Sequence, residues 1–220
     1  MSINIAIDGP AGAGKSTIAK LVAQKMNFVY VDTGAMYRAM GIYFVKRGIS
    51  PEDENAISSA CQDADISITY ENGTQQVLLN GENVTELLRT EDAGKMASAT
   101  SGYIAVRKKL VELQQKLAAK ENVVMDGRDI GTVVLPKADL KIYLTASVET
   151  RAKRRFLELT EKGITCNIKE IEKDIEERDY RDMHRENSPL KKAEDAVYLD
   201  SSHMSIEEVA EMIMGYLTKR

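Results

Sequence analysis

Cysteine is scarce. Cys61 and Cys166 are the only two in 220 residues, and they lie too far apart to suggest a disulfide framework. Neither falls in a CxxC or Cys/His pattern that would hold zinc, so a reducing cytoplasm is the expected location. Long apolar runs are missing as well. None approaches the roughly 18 residues of a membrane span, and the N-terminus has no basic stretch leading into the apolar core of a secretion signal. Positive charge is not in excess: 34 acidic against 30 basic residues leave a net charge of −4, which argues against a general nucleic-acid binder. There is no internal repeat, no low-complexity tract and no linker rich in proline, glycine or serine. What is left has the composition of a soluble globular chain, 43% apolar and 29% charged, long enough to bury a substantial core. One local feature departs from the acidic mean. Seven of the twelve arginines fall between Arg128 and Arg185.

Periodicity predicts an alternation of strands and helices. Ile3, Ile5 and Ile7 alternate with smaller residues until Asp8-Gly9-Pro10 breaks the strand. A helix follows from Lys15 to about Met26, with Ile18, Leu21, Val22 and Met26 on one face. Phe28–Val31 reads as a second strand ending at Asp32-Thr33-Gly34, and the next helix closes at Arg47-Gly48. Residues 66–84 read as an antiparallel hairpin with turns at Glu71-Asn72-Gly73 and Asn80-Gly81. Helical spacing returns at Val106, Leu110, Leu113 and Leu117, followed by short strands at Val123–Met125 and Leu140–Leu144. A long charged helical region runs from about Val148 to His184, interrupted near Lys162-Gly163. Val197–Leu199 is the last strand. Ser205 and Glu208 then stand at capping-box spacing before a helix expected to bury Ile206, Val209, Ile213 and Leu217. Five short strands alternating with helices point to a parallel α/β sheet.

The segment Gly9-Pro10-Ala11-Gly12-Ala13-Gly14-Lys15-Ser16-Thr17 matches G-x-x-x-x-G-K-[ST] between a predicted strand and a predicted helix, the context this motif requires. Its glycines let successive N–H groups point at phosphate oxygens, and the helix adds the positive end of its dipole. Lys15 would reach the outer phosphates and the Ser16 hydroxyl would ligate Mg²⁺. These features describe a nucleoside triphosphate site. A GTPase should carry N-K-x-D, which occurs nowhere, and a large motor would need more chain. A small phosphotransferase fits.

Three further stretches bear on the acceptor: Asp32-Thr33-Gly34-Ala35-Met36-Tyr37-Arg38, Met125–Pro136 (MDGRDIGTVVLP) and Arg178–Arg185 (RDYRDMHR). They closely resemble bacterial cytidylate kinases, and the resemblance spans the whole chain, including the β insert at 66–84. It implies a P-loop NTPase three-layer α/β fold with a five-stranded parallel sheet, an acceptor-binding insert containing a small antiparallel β-sheet, and a helical lid. The core would cover about 1–33, 114–147 and 188–220, the insert about 34–113 and the lid about 148–187. It also implies a monomer that transfers the ATP γ-phosphoryl group to CMP and dCMP with Mg²⁺. Two other readings remain open on the residues: another small P-loop kinase, for UMP/CMP or a small metabolite, and a nucleotide-dependent binding switch.

The resemblance gives each candidate residue a role, and each role can be set against its chemistry. A monophosphate is a dianion that needs fixed cations, and the planar fork of arginine suits its oxygens. Arg38, Arg128 and Arg185 resemble the acceptor-phosphate clamp, with Thr33 and Tyr37 nearby; singly, each arginine also fits an ordinary surface ion pair. Asp129 resembles the cytosine-reading carboxylate, which accepts from the exocyclic amine and repels the uracil oxygen. Ser98 and Arg107 are the other base contacts that the resemblance implies. A turn carboxylate is the local alternative for Asp129. Asp126 ends a strand where a carboxylate holds metal-bound water, or else simply caps a turn. Ile168, Ile171 and Ile175 form an apolar stripe that continues onto Arg178, Asp182 and Arg185. That face either leaves the core for water or holds ligand, and Arg178 and Asp182 resemble the acceptor-sugar contacts. Arg151 and Arg155 share a helix face and resemble the arginine pair over ATP; Arg154 points elsewhere and is expected in solvent. Lys15, Arg128, Arg155 and Arg178 are the expected catalytic cations.

Overall fold

The computed structural model describes residues 2–71 and 74–218. In chain order the elements are β1 (Asn4–Asp8), α1 (Lys15–Met26), β2 (Val29–Asp32), α2 (Thr33–Lys46), α3 (Glu54–Asp63), β3 (Ile66–Glu71), β4 (Thr74–Leu79) and β5 (Glu82–Asn83). They continue with α4 (Glu91–Thr100), α5 (Ile104–Ala118), β6 (Val123–Gly127), β7 (Leu140–Thr145), α6 (Val148–Glu161), α7 (Ile168–His184), β8 (Val197–Asp200) and α8 (Ile206–Thr218). Two compact units result: Met1–Tyr30 with Glu121–Arg220, and Val31–Lys120.

The first unit is built on a five-stranded parallel sheet of order β2-β6-β1-β7-β8. Central position in a parallel sheet buries both faces of a strand, which is why β1, β6 and β7 are almost continuously apolar. Ile5, Ile7, Val124, Leu140, Ile142 and Leu144 pack with Ile18 and Val22 of α1 and with Val209 and Ile213 of α8. The expected capping box is present: Ser205 Oγ accepts the Glu208 N–H at 3.2 Å, and Glu208 Oε2 accepts the Ser205 N–H at 2.8 Å. Ile206, expected in the core, is instead 44% exposed, because the first residue after the cap points away from the sheet. A smaller apolar cluster holds α6 to α7 through Ala152, Ile171 and Ile175.

The second unit packs α2, α3, α4 and α5 with a three-stranded antiparallel sheet, β3-β4-β5. The hairpin expected at 66–84 therefore gains a third short strand. Its second turn has Asn80 and Gly81 both in the left-handed region, at φ 50° and 82°, the geometry that matches strand twist. Asn72 and Gly73 of the first turn lie outside the described residues. Helices α3 and α4 were not expected. Each is ten residues long, and their buried faces, Ile57, Ala60 and Cys61 in one and Ala93, Met96, Ala97 and Thr100 in the other, keep helical spacing but carry mostly small side chains. Asp53 and Thr90 cap them by accepting the Ala56 and Ala93 N–H groups. Among the described residues no helix is long and apolar enough to cross a membrane.

Candidate active site

In the first unit, the chain leaves β1 at Asp8 and turns through the phosphate-binding loop into α1. Gly9 sits so close to β7 that a Cβ there would lie 1.9 Å from the Leu144 carbonyl oxygen, so only glycine fits the start of the loop. Gly14, at φ 85°, leads directly into α1, whose first N–H groups are left for a ligand. Lys15 is buried and folds back to donate to the Pro10 carbonyl at 2.8 Å. Burial, and then the Arg128 charge, push the Lys15 ammonium down to about 7. The Ser16 hydroxyl donates to Asp126 Oδ2 at 2.9 Å, and the Tyr30 hydroxyl donates to Asp126 Oδ1 at 2.9 Å. Ser16 and Asp126 thus form one pair of hard oxygen donors at the head of α1.

The end of β6 supplies the next charges. Arg128 Nε donates to Asp182 Oδ2 at 2.7 Å, an ion pair joining the loop after β6 to α7. Burial works against ionisation of Asp182, but Arg128 outweighs it and holds the carboxyl below its usual range. Arg178 and Arg185 add to that field. Asp129 is buried, its side chain does not cap the helical turn Ile130–Val134 that follows, and Arg185 Nη2 lies 3.8 Å from its Oδ1. Arg185 is steadied by its Nε, which donates to the Ser188 carbonyl at 2.7 Å.

The α6–α7 pair meets the phosphate loop directly. Asp179 Oδ1 accepts the Ala11 N–H at 3.2 Å, and its Oδ2 accepts from Arg151 Nη1 at 2.6 Å. Arg151 Nη1 also donates to the Ala11 carbonyl at 2.9 Å, and its Nε to the Ala146 carbonyl at 2.9 Å. One residue of the loop, Ala11, is thus gripped through both its N–H and its C=O by a buried ion pair.

In the second unit, the Asp32 side chain accepts the Ala35 N–H at 2.9 Å and so starts α2, whose first turns carry Thr33, Tyr37 and Arg38. The Arg107 guanidinium lies 5.8 Å from the centroid of the Tyr37 ring and donates to the Ser101 carbonyl at 3.2 Å. Ser101 ends α4, three residues after Ser98, and its hydroxyl donates to the Ser98 carbonyl. Tyr37, Arg107 and the end of α4 form one polar group.

Residues 5–219 match the family model for cytidylate kinase. The chain belongs to the cytidylate kinase family. It is 53% identical to the cytidylate kinase of Listeria welshimeri over 97% of this chain and 95% of that one. It is 51% identical to that of Caldicellulosiruptor bescii over 99% of this chain and 96% of the relative. Solved shikimate kinases share the fold: that of Bacteroides thetaiotaomicron superposes with TM-score 0.51 at 12% identity, covering 98% of both chains. That of Acinetobacter baumannii gives 0.50 at 15% identity, covering 100% of this chain and 94% of the other.

Within this cytidylate kinase family chain, the first unit brings together Lys15, Ser16, Asp126, Arg128, Asp129, Arg151, Arg178, Asp182 and Arg185. Arg155 is not among them. It is exposed and pairs with Glu158 at 2.7 Å. Arg154, expected in solvent, is half-buried instead, donating from Nη2 to the Ser201 carbonyl at 2.8 Å. The expected stripe on α7 does turn inward, with the Asp182 and Arg185 side chains 15% and 12% exposed, and it includes one charge not expected there. The charge that follows Ile171 and Ile175 into the interior is Asp179, with Arg178 beside it half-buried. A four-residue step from Ile175 would have found Asp179. Nothing local marks the contact of Tyr30 with Asp126, which rests on pairing across the sheet.

Proposed function

We propose that the chain is a phosphotransferase with a phosphate-group acceptor, moving the γ-phosphoryl group of ATP to CMP and dCMP to form CDP and dCDP. The observation that carries this reading is the charge cluster at one end of the sheet. There the phosphate loop and Lys15 share their electrostatics with Arg128, Asp182 and Asp126. A cation set of this kind suits two phosphate groups being brought together, because transfer to an already anionic oxygen needs positioning and charge neutralisation rather than proton removal.

Lys15 and the free N–H groups of the Gly9–Thr17 loop, leaving aside Pro10, which has none, and Ala11, whose N–H is held by Asp179, take the donor phosphates, and Arg128 and Arg185 take the acceptor phosphate. Asp129 accepts from the cytosine amine, while Asp182 accepts from a sugar hydroxyl with Arg178 beside it. The same reading assigns Thr33, Tyr37, Arg38, Ser98 and Arg107 to acceptor recognition, and gives α6 and α7 the part of a lid carrying Arg151 and Arg155. Ser16 and, through water, Asp126 would hold Mg²⁺. Their oxygens suit a hard cation, and since no cluster of three acidic, histidine or cysteine side chains stands among the described residues, phosphates and waters would complete its shell. When bound, the ion offsets charge on the transferring phosphates.

Initial rates at fixed Mg·ATP with CMP, dCMP, UMP, AMP and small hydroxylated acids test the reading. CMP and dCMP should lead by a wide margin, and Asp129→Ala should cost CMP more than UMP. Preferred turnover of UMP, AMP or a hydroxylated acid would overturn it.

A further inference from the structure

The carboxylate that ends β1 takes none of the roles above. Asp8 is 5% exposed and stands immediately before Gly9. Its Oδ1 accepts the Ile130 N–H and its Oδ2 the Gly131 N–H, both at 2.7 Å. These two amides open the helical turn that follows Arg128 and Asp129. β1 and β6 are parallel neighbours with Asp8 opposite Gly127, so the chain runs off β6, passes Arg128 and Asp129, and is caught by Asp8 at once.

The turn is pressed onto that carboxylate. A Cβ on Gly131 would lie 3.3 Å from Asp8 Oδ2 and 3.1 Å from Lys141 Cδ. Lys141, itself buried on β7, donates from Nζ to the Pro136 carbonyl at 2.7 Å and to Asp195 at 2.9 Å, fixing the far end of the same segment. Only a carboxylate at this reach offers separate acceptor oxygens to two adjacent N–H groups. An amide would turn a donor toward one of them. Burial pushes Asp8 up to about 6 against the pull of the two N–H groups, with Asp129 raising it further and Lys15 lowering it. Burying a carboxylate is costly, and here the two N–H groups that it alone satisfies offset that cost.

We infer that Asp8 is a positioning residue for acceptor selection: by seating the peptides after Asp129 it fixes where the Asp129 carboxylate and the Arg128 guanidinium stand. Because it also adjoins Gly9, it ties the acceptor-reading segment to the phosphate loop. The inference rests on the proposed reading of Asp129 as the base-reading group.

The test compares kcat/KM for CMP and UMP at saturating Mg·ATP in the wild type, Asp8→Asn, Gly131→Ala and Asp129→Ala. Asp8→Asn should lower the CMP-over-UMP ratio about tenfold, as expected for one misplaced hydrogen bond, and move the ATP KM by less than about threefold. Gly131→Ala keeps every charged residue but sets a Cβ 3.3 Å from Asp8 Oδ2 and 3.1 Å from Lys141 Cδ, so the turn and the carboxylate must shift by a few tenths of an ångström, and it should lower the ratio in the same direction; if Asp8→Asn does not fold, it decides alone. Equal losses on CMP and UMP in these two variants, with Asp129→Ala still selective, overturn the role of Asp8 and leave the reading of Asp129 standing. An unchanged ratio in Asp129→Ala overturns both.

Discussion

Removing the Asp179 carboxylate should be costly although the residue lies outside the main core. The Arg151 and Asp179 side chains are only 5% and 11% exposed, so water screens their 2.6 Å pairing little. Asp179→Ala would leave the Arg151 guanidinium buried without its counter-ion, and such truncations cost about 3–5 kcal/mol. The Ala11 N–H also loses its acceptor, a further effect of about 1 kcal/mol that overlaps with the first rather than adding to it. Urea denaturation followed by far-UV circular dichroism measures the total. Two controls give the number its meaning. Arg155→Ala breaks a pair whose side chains are 49% and 47% exposed, and should cost less than about 1 kcal/mol. The double replacement Arg151→Met with Asp179→Leu removes both charges together and should recover all but about 1–2 kcal/mol, since neither ion is then left stranded. A loss below about 1 kcal/mol in Asp179→Ala would mean the pair is open to water, and would refute the claim that it anchors the phosphate loop.

Two other outcomes follow from the same region. Lys15, held down to about 7 in the free protein, loses its proton as pH rises through neutrality, while bound phosphate favours the ammonium. ATP binding at pH 8 should therefore take up about one proton, and affinity should weaken as pH rises above 7. Titration calorimetry in buffers of different ionisation enthalpy reads this directly, and heats independent of buffer would refute it. Gly9→Ala drives a Cβ to 1.9 Å from the Leu144 carbonyl oxygen, against rigid backbone. It should lower stability by more than about 4 kcal/mol or abolish soluble expression; a urea midpoint like that of the wild type would show that the strands can part there.

Features that depend on neighbouring residues were legible. The glycine spacing of residues 9–14, the Ser205–Glu208 box and the Asn80-Gly81 turn each act over a few residues, so their geometry follows from local chemistry. The buried strands β1, β6 and β7 show as short apolar runs for the same reason. Helices α3 and α4 are hard to see because their inward faces, though helically spaced, are built mostly from small residues around Ile57 and Met96. On α7, the 3.6-residue period lets adjacent positions share the inward side, so Asp179 is buried beside the half-buried Arg178 without displacing Asp182 and Arg185. No local pattern marks the burial of Arg154, because its partner, the Ser201 carbonyl, comes from the turn after β8.

By itself the sequence determined the phosphate loop, the parallel α/β class and the residue types able to hold anions, since each is encoded within a single element. The partners of those residues belong to the tertiary structure. Asp8 meets Ile130 and Gly131 from more than 120 positions away, Arg151 meets Ala11 across 140, and Arg128 meets Asp182 across 54. Side-chain chemistry states what a group can bind. Which group it does bind depends on strand order and helix packing, and no local pattern carries that information.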